Sequence, residues 1–96
     1  MLTGKQRRHL RGLGHKLEPI TQLGKGGITD AFVDAIDKAL ADHELIKLKI
    51  LETAALDRHD AADAIAARTS SEVAQVLGNT VLLYRARAED PDIELP

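Results

Sequence analysis

Apolar and polar positions follow two periods along this chain. Leu2, Gln6, Leu10, Leu13 and Leu17 fall along one side of a helix that Thr3 is placed to cap. That helix is expected from about Gly4 to about His15. Lys5, Arg7, Arg8, Arg11, His15 and Lys16 spread over the rest of its circumference, so it carries a narrow greasy stripe and a broad cationic face. Gly12 and Gly14 either weaken its second half, each by up to about 1 kcal/mol relative to alanine, or let another backbone come close. Pro19 opens a short extended segment, Ile20 to Leu23, and Gly24-Lys25-Gly26-Gly27 follows as a run unsuited to regular structure. Thr29 caps a second helix reaching about His43, with Phe32, Ala35, Ile36, Ala39 and Leu40 inward and Asp34, Asp37, Lys38 and Asp42 outward.

The period then changes from helical to alternating. Ile46, Leu48 and Ile50 share one side of a strand over Leu45 to Leu51, and Lys47 and Lys49 share the other. Asp57 caps a third helix to about Thr69, whose inner face of Ala61, Ala62, Ile65 and Ala66 is small enough to lie close on a sheet. Glu72 to Leu77 reads as a strand, Gly78-Asn79 as a two-residue hairpin turn and Thr80 to Arg85 as the returning strand. The order α-β-α-β-α-β-β predicts an α+β fold, a two-layer arrangement with a mixed four-stranded sheet. One domain over residues 1–85 is expected, with residues 86–96, rich in acids and prolines, as a loose acidic tail.

Composition narrows the function. With 96 residues there is room for one core. Aromatics are 2% of the chain, Phe32 and Tyr84, which disfavours a platform of several exposed rings stacking on bases. No cysteine is present, so disulfides, thiolate metal sites and cysteine nucleophiles are excluded. No apolar run nears the roughly 18 residues of a membrane span and no signal-peptide pattern opens the chain; a cytoplasmic protein without a membrane partner is expected. The net charge of −2 conceals an asymmetry. Residues 1–28 carry six cations, Lys5, Arg7, Arg8, Arg11, Lys16 and Lys25, against Glu18 alone. The remainder carries seven cations against fourteen acids. A basic surface on an acidic body points to a polyanion.

Catalytic constellations are absent from the sequence. The four histidines, His9, His15, His43 and His59, form no H-E-x-x-H pattern. His59-Asp60 resembles the start of a metal phosphohydrolase motif, without the further ligands that such a site needs. No G-x-S-x-G elbow occurs. No metal, cofactor or small-molecule substrate is expected.

The glycine loop is neither a P-loop nor a dinucleotide fingerprint, since Thr29 stands where G-x-G-x-x-G needs its last glycine. It is a G-x-x-G, Gly24 to Gly27, between a strand and a helix. Alone, that pattern reads as a structural turn. Beside a cationic helix it reads as a place where a nucleic-acid backbone comes close to free N–H groups, with Lys25 at the tip.

Leu2-Thr3-Gly4-Lys5-Gln6-Arg7, Leu23-Gly24-Lys25-Gly26-Gly27-Ile28-Thr29, His43-Glu44-Leu45-Ile46-Lys47 and Val76-Leu77-Gly78-Asn79-Thr80-Val81-Leu82-Leu83-Tyr84-Arg85 occur in order over nearly the whole chain. Together they resemble the CRM domain, specifically the single-domain bacterial YhbY-like proteins. The resemblance implies a fold similar to the C-terminal domain of translation initiation factor three. It also implies RNA binding through the G-x-x-G loop and association with precursors of the large ribosomal subunit. Ser70 departs from the helix-ending glycine common in relatives, and the acidic tail is less basic than in some of them.

The reading is a non-enzymatic RNA-binding protein of large-subunit (pre-50S) ribosome assembly, cytoplasmic and ribosome-associated. Lys5, Arg7, Arg8, Arg11 and Lys16 neutralise phosphates and Gly24, Lys25, Gly26 and Gly27 approach the ribosomal RNA backbone. Lys47, Lys49 and Arg85 extend the surface. The alternative is a protein-interaction module that docks its acidic second helix or tail on a ribosomal protein or assembly factor. Steep loss of affinity with salt separates the first from the second.

Overall fold

The computed structural model describes residues 2–96. Its elements run α1 (Gly4–Gly14), β1 (Pro19–Leu23), α2 (Asp30–His43), β2 (Leu45–Ile50), α3 (Arg58–Thr69), β3 (Glu72–Leu77) and β4 (Thr80–Tyr84). Each helix starts where its cap was expected. Thr3 and Gln6 form a reciprocal capping box, the Thr29 hydroxyl accepts from the Phe32 N–H, and Asp57 accepts from the N–H groups of His59 and Asp60. Those two donors hold the Asp57 carboxyl below its ordinary range. α3 ends at Ser70 in the left-handed conformation, φ 54°, the geometry that makes glycine common at such a position.

The four strands make one mixed sheet in the order β1-β2-β4-β3. β1 lies parallel to β2, with α2 as the crossover, while β4 is antiparallel to both β2 and β3. The α+β class and the mixed sheet are as the sequence predicts. The two-layer expectation is corrected, because helices cover both faces. Ile46, Leu48, Ile50, Val81 and Leu83 pack with Ile36, Leu40, Ile65 and the α3 alanines. Leu45, Leu82 and Tyr84, of opposite parity in the same strands, pack with Leu2 and Leu10 of the α1 side. The cause lies in β4. Its Val81-Leu82-Leu83-Tyr84 is apolar without alternation and buried throughout, which requires cover above and below.

α1 achieves its close seat through Gly14. A methyl group built there would lie 2.6 Å from Leu82 Cδ2, whereas Gly12 has open space. The price of lost helix propensity at Gly14 is therefore a requirement of packing. Gly14→Ala should destabilise the protein by about 1–3 kcal/mol in urea unfolding despite alanine's better propensity, and Gly12→Ala should stabilise it slightly. Of the expected stripe, Leu2 and Leu10 are buried, while Leu13 and Leu17 stay 42% and 37% exposed; Leu17 follows the end of the helix at Gly14.

The tail is also corrected. Residues 86–96 contain no helix or strand, yet they are not loose. Ile93 and Leu95 pack on the Leu2–Leu10–Tyr84 cluster. The anchor is Glu44, fully buried at the end of α2. Its Oε2 accepts from the Arg87 N–H at 2.8 Å, and its Oε1 from the N–H groups of Asp92 (2.7 Å) and Ile93 (3.0 Å). Burial pushes the Glu44 carboxyl upward. The three donors and the nearby Arg87 cation outweigh it, leaving the group below its ordinary value.

Candidate nucleic-acid interface

The glycine loop sits at the sheet end formed by Leu23, Ile50, Leu77 and Thr80. Both of its flanks are pinned. The Leu51 N–H donates to the Leu23 carbonyl at 2.8 Å, and the Gly27 N–H closes a turn onto the Gly24 carbonyl at 3.0 Å. On the far side, Arg68 of α3 donates to the Ile28 carbonyl (3.2 Å) and to Asp30 Oδ1 (2.6 Å). Nothing in the sequence connected Arg68 to the loop, since the contact spans 38 to 40 residues. Between these pins Lys25 and Gly26 are exposed. Among the described residues neither of their N–H groups has a partner within the chain. These are the loop's available donors. The first turn of α2 already carries the Asp30 carboxylate, so its own anion occupies the positive end of the helix dipole.

Gly27 has φ 73°, which only glycine adopts cheaply. Gly24 has no such angle, and a methyl group there would make ordinary contact with Leu51 at 3.5 Å. Gly26 has open space and no left-handed angle. A side chain at Gly26 thus changes what approaches the loop rather than the loop itself.

Lys5, Arg8, Arg11 and Lys16 are exposed on the α1 side of the sheet. Lys47 and Lys49 share the parity of Leu45 on β2, so they face that same side, about 6.6 Å apart along the strand. None of these cations, nor Lys25, makes an ion pair among the described residues. The arginines that do pair with carboxylates are Arg68 with Asp30, Arg85 with Asp37 and Arg87 with Asp92. They lie among α2, α3 and the tail.

Two expected contact residues have other tasks. Arg7 is half-buried and donates to the Val73 carbonyl on edge strand β3, beside the register shift between Val73 and Gln75. It fastens α1 to the edge. Arg85 joins Asp37 at 2.6 Å and donates to the carbonyls of Thr69 (2.8 Å) and Asp37 (3.0 Å). It staples β4 to α2 and α3, at the sheet end away from the loop, and the structure does not bring it together with the other cations. Among the described residues no group of three or more His, Asp or Glu side chains is gathered where a metal could be held.

A glycine turn with free donors therefore lies at one end of the sheet, and the cations that make no ion pair among the described residues lie on the α1 side of it. The model of the CRS1 / YhbY (CRM) domain matches residues 2–85, and the chain belongs to that family. It is 45% identical over its whole length, and that of the relative, to the probable RNA-binding protein YqeI of Bacillus subtilis. A Haemophilus influenzae relative named RNA-binding protein is 36% identical, covering 99% of this chain and 95% of its own. The solution structure of the hypothetical protein SAV1595 from Staphylococcus aureus superposes with a TM-score of 0.85 at 44% identity, covering both chains fully.

Proposed function

We propose that this protein binds RNA without catalysing a reaction on it, gripping the phosphate backbone between the Gly24–Gly27 turn and the outer face of α1. The observation that carries this reading is the partition of the cations. Among the described residues those of α1, β2 and the loop have no carboxylate partner, while Arg68, Arg85 and Arg87 of the acidic body are paired. A cation without an internal partner is free to release counterions when it meets a phosphate, which is the main source of affinity for nucleic acid. Ribosomal RNA in large-subunit precursors is the proposed target, in the cytoplasm; the family resemblance supports it.

Arg8→Glu with Arg11→Glu tests the reading. Both side chains are exposed, so the fold should be kept. RNA affinity should fall, and the slope of log K against log salt should become shallower by about two. Filter binding with an unchanged slope would remove α1 from the interface.

A further inference from the structure

We infer that the sheet row Gln22–Lys49–Thr80–Leu77 is a seat for unpaired RNA bases, placed between the phosphate contacts of the loop and those of α1. The inference rests on the RNA-binding reading and extends it to which part of the RNA is read. The row follows from register. Gln22 is opposite Lys49, Lys49 opposite Thr80, and Leu77 opposite Thr80, so one side chain from each strand crosses the whole sheet. Parity places all four on the α1 side. Leu23, Ile50, Val81 and Val76, their chain neighbours, belong to the opposite core.

α1 does not reach this row. Its contacts on β4 are Gly14 on Leu82 and Leu10 among Leu82 and Tyr84, two to four residues further along the strand from Thr80. Gln22, Lys49 and Leu77 are exposed, and among the described residues Leu77 at 64% exceeds every other exposed large hydrophobic side chain. Core packing gives no reason for a leucine there. Gln22 lies two residues before Gly24, so the row begins where the glycine turn begins.

The chemistry of the row suits a base. Leu77 offers an apolar surface to the flat face of a nucleobase, a task that aromatic rings perform in other proteins. Here Phe32 is packed against the core and Tyr84 is buried. The Gln22 amide offers both a donor and an acceptor to a base edge. Lys49 supplies a cation for the intervening phosphate, and no acid stands in the row. A base inside a duplex presents neither its face nor its pairing edge, so the occupant is an unpaired stretch of RNA.

The test uses the full chain and fluorescein-labelled RNA oligomers of about ten nucleotides, single-stranded A, C and U and a mixed-sequence duplex. Leu77→Thr keeps a strand-forming residue, and melting curves establish that it and Gln22→Ala remain folded. Leu77→Thr should bind the single strands about tenfold more weakly, with an unchanged salt slope and unchanged duplex affinity. Gln22→Ala should narrow the spread of affinities among the three single strands. Wild-type affinity in both variants, with binding still lost on Arg8→Glu and Arg11→Glu, would overturn the inference and leave the RNA reading standing. Failure of the wild-type protein to bind any oligomer in a salt-dependent way would overturn the RNA reading itself. A concentration-dependent dimer abolished by Leu77→Thr, with RNA affinity unchanged, would assign the row to a second copy of this chain and overturn the inference.

Discussion

Glu44→Ala should cost the protein about 2–3 kcal/mol and release the last ten residues from the body. The substitution removes the acceptor for three N–H groups, those of Arg87, Asp92 and Ile93, and donors left without a partner are costly. With them goes the seating of Ile93 and Leu95 on Leu2, Leu10 and Tyr84. For a domain of this size the melting temperature should fall by roughly 10 °C or more. Glu44→Gln keeps an oxygen acceptor but loses the charge, so it should fall between wild type and alanine. The carboxyl is held below its ordinary value in the folded state. Its contribution is therefore present above the ordinary glutamate range near 4.3 and is lost as pH falls through the lower folded value. Urea unfolding from pH 6 down to pH 3 should show wild type losing stability more steeply than Glu44→Gln. Parallel curves would mean that the charge does not hold the tail. Deleting residues 86–96 should likewise destabilise the protein, contrary to what the acidic, proline-containing composition of that segment predicts.

The largest functional effect should come from Lys25→Asp with Gly26→Asp. Neither position has a left-handed backbone angle, and Gly26 has open space around its Cα. Both residues are exposed, so folding should change by less than about 1 kcal/mol and the melting temperature by a few degrees. Two carboxylates would then stand beside the free Lys25 and Gly26 N–H groups, where phosphates are to approach. RNA affinity should fall by about a hundredfold, equivalent to roughly 2.7 kcal/mol. With the proposed ribosomal RNA target, the wild type should sediment with pre-ribosomal fractions of a sucrose gradient and the variant should not. A folded double variant that binds RNA normally would reduce the loop to a structural turn, leaving α1 to carry the interface.

Much of this architecture is legible in the chain because its signals are local. Caps at Thr3, Thr29 and Asp57, the alternation of Ile46, Leu48 and Ile50, and the Gly78-Asn79 turn each specify an element within a few residues. The second covered face is visible in β4, whose four consecutive apolar residues do not alternate, though α1's seat on it depends on Gly14 meeting Leu82 from 68 positions away. The candidate site is half legible. Cationic residues announce themselves, but their partners do not. Arg85 differs from Arg8 in being within 2.6 Å of Asp37, a contact made only when β4 meets α2. Arg7's bond to Val73 and Arg68's hold on Ile28 and Asp30 have the same origin. Glu44 looks like one acid among fifteen. Its burial requires the tail to return across the start of β2, and nothing local to Glu44 encodes that return.

RNA is proposed to lie on the α1 side of the sheet and to meet the glycine turn. The decisive experiment titrates the ¹⁵N-labelled protein with a single-stranded ribosomal RNA fragment and follows each backbone amide by nuclear magnetic resonance. The amides of Gly24 to Ile28, of Gln22 and Lys49, and of Lys5, Arg8 and Arg11 should shift together, with one affinity that weakens steeply with salt. Those of Asp34, Lys38, Asp42 and the tail should stay in place. Shifts centred on α2 and the tail, with the glycine turn unmoved, would place the RNA elsewhere and favour a protein-docking role for the acidic face.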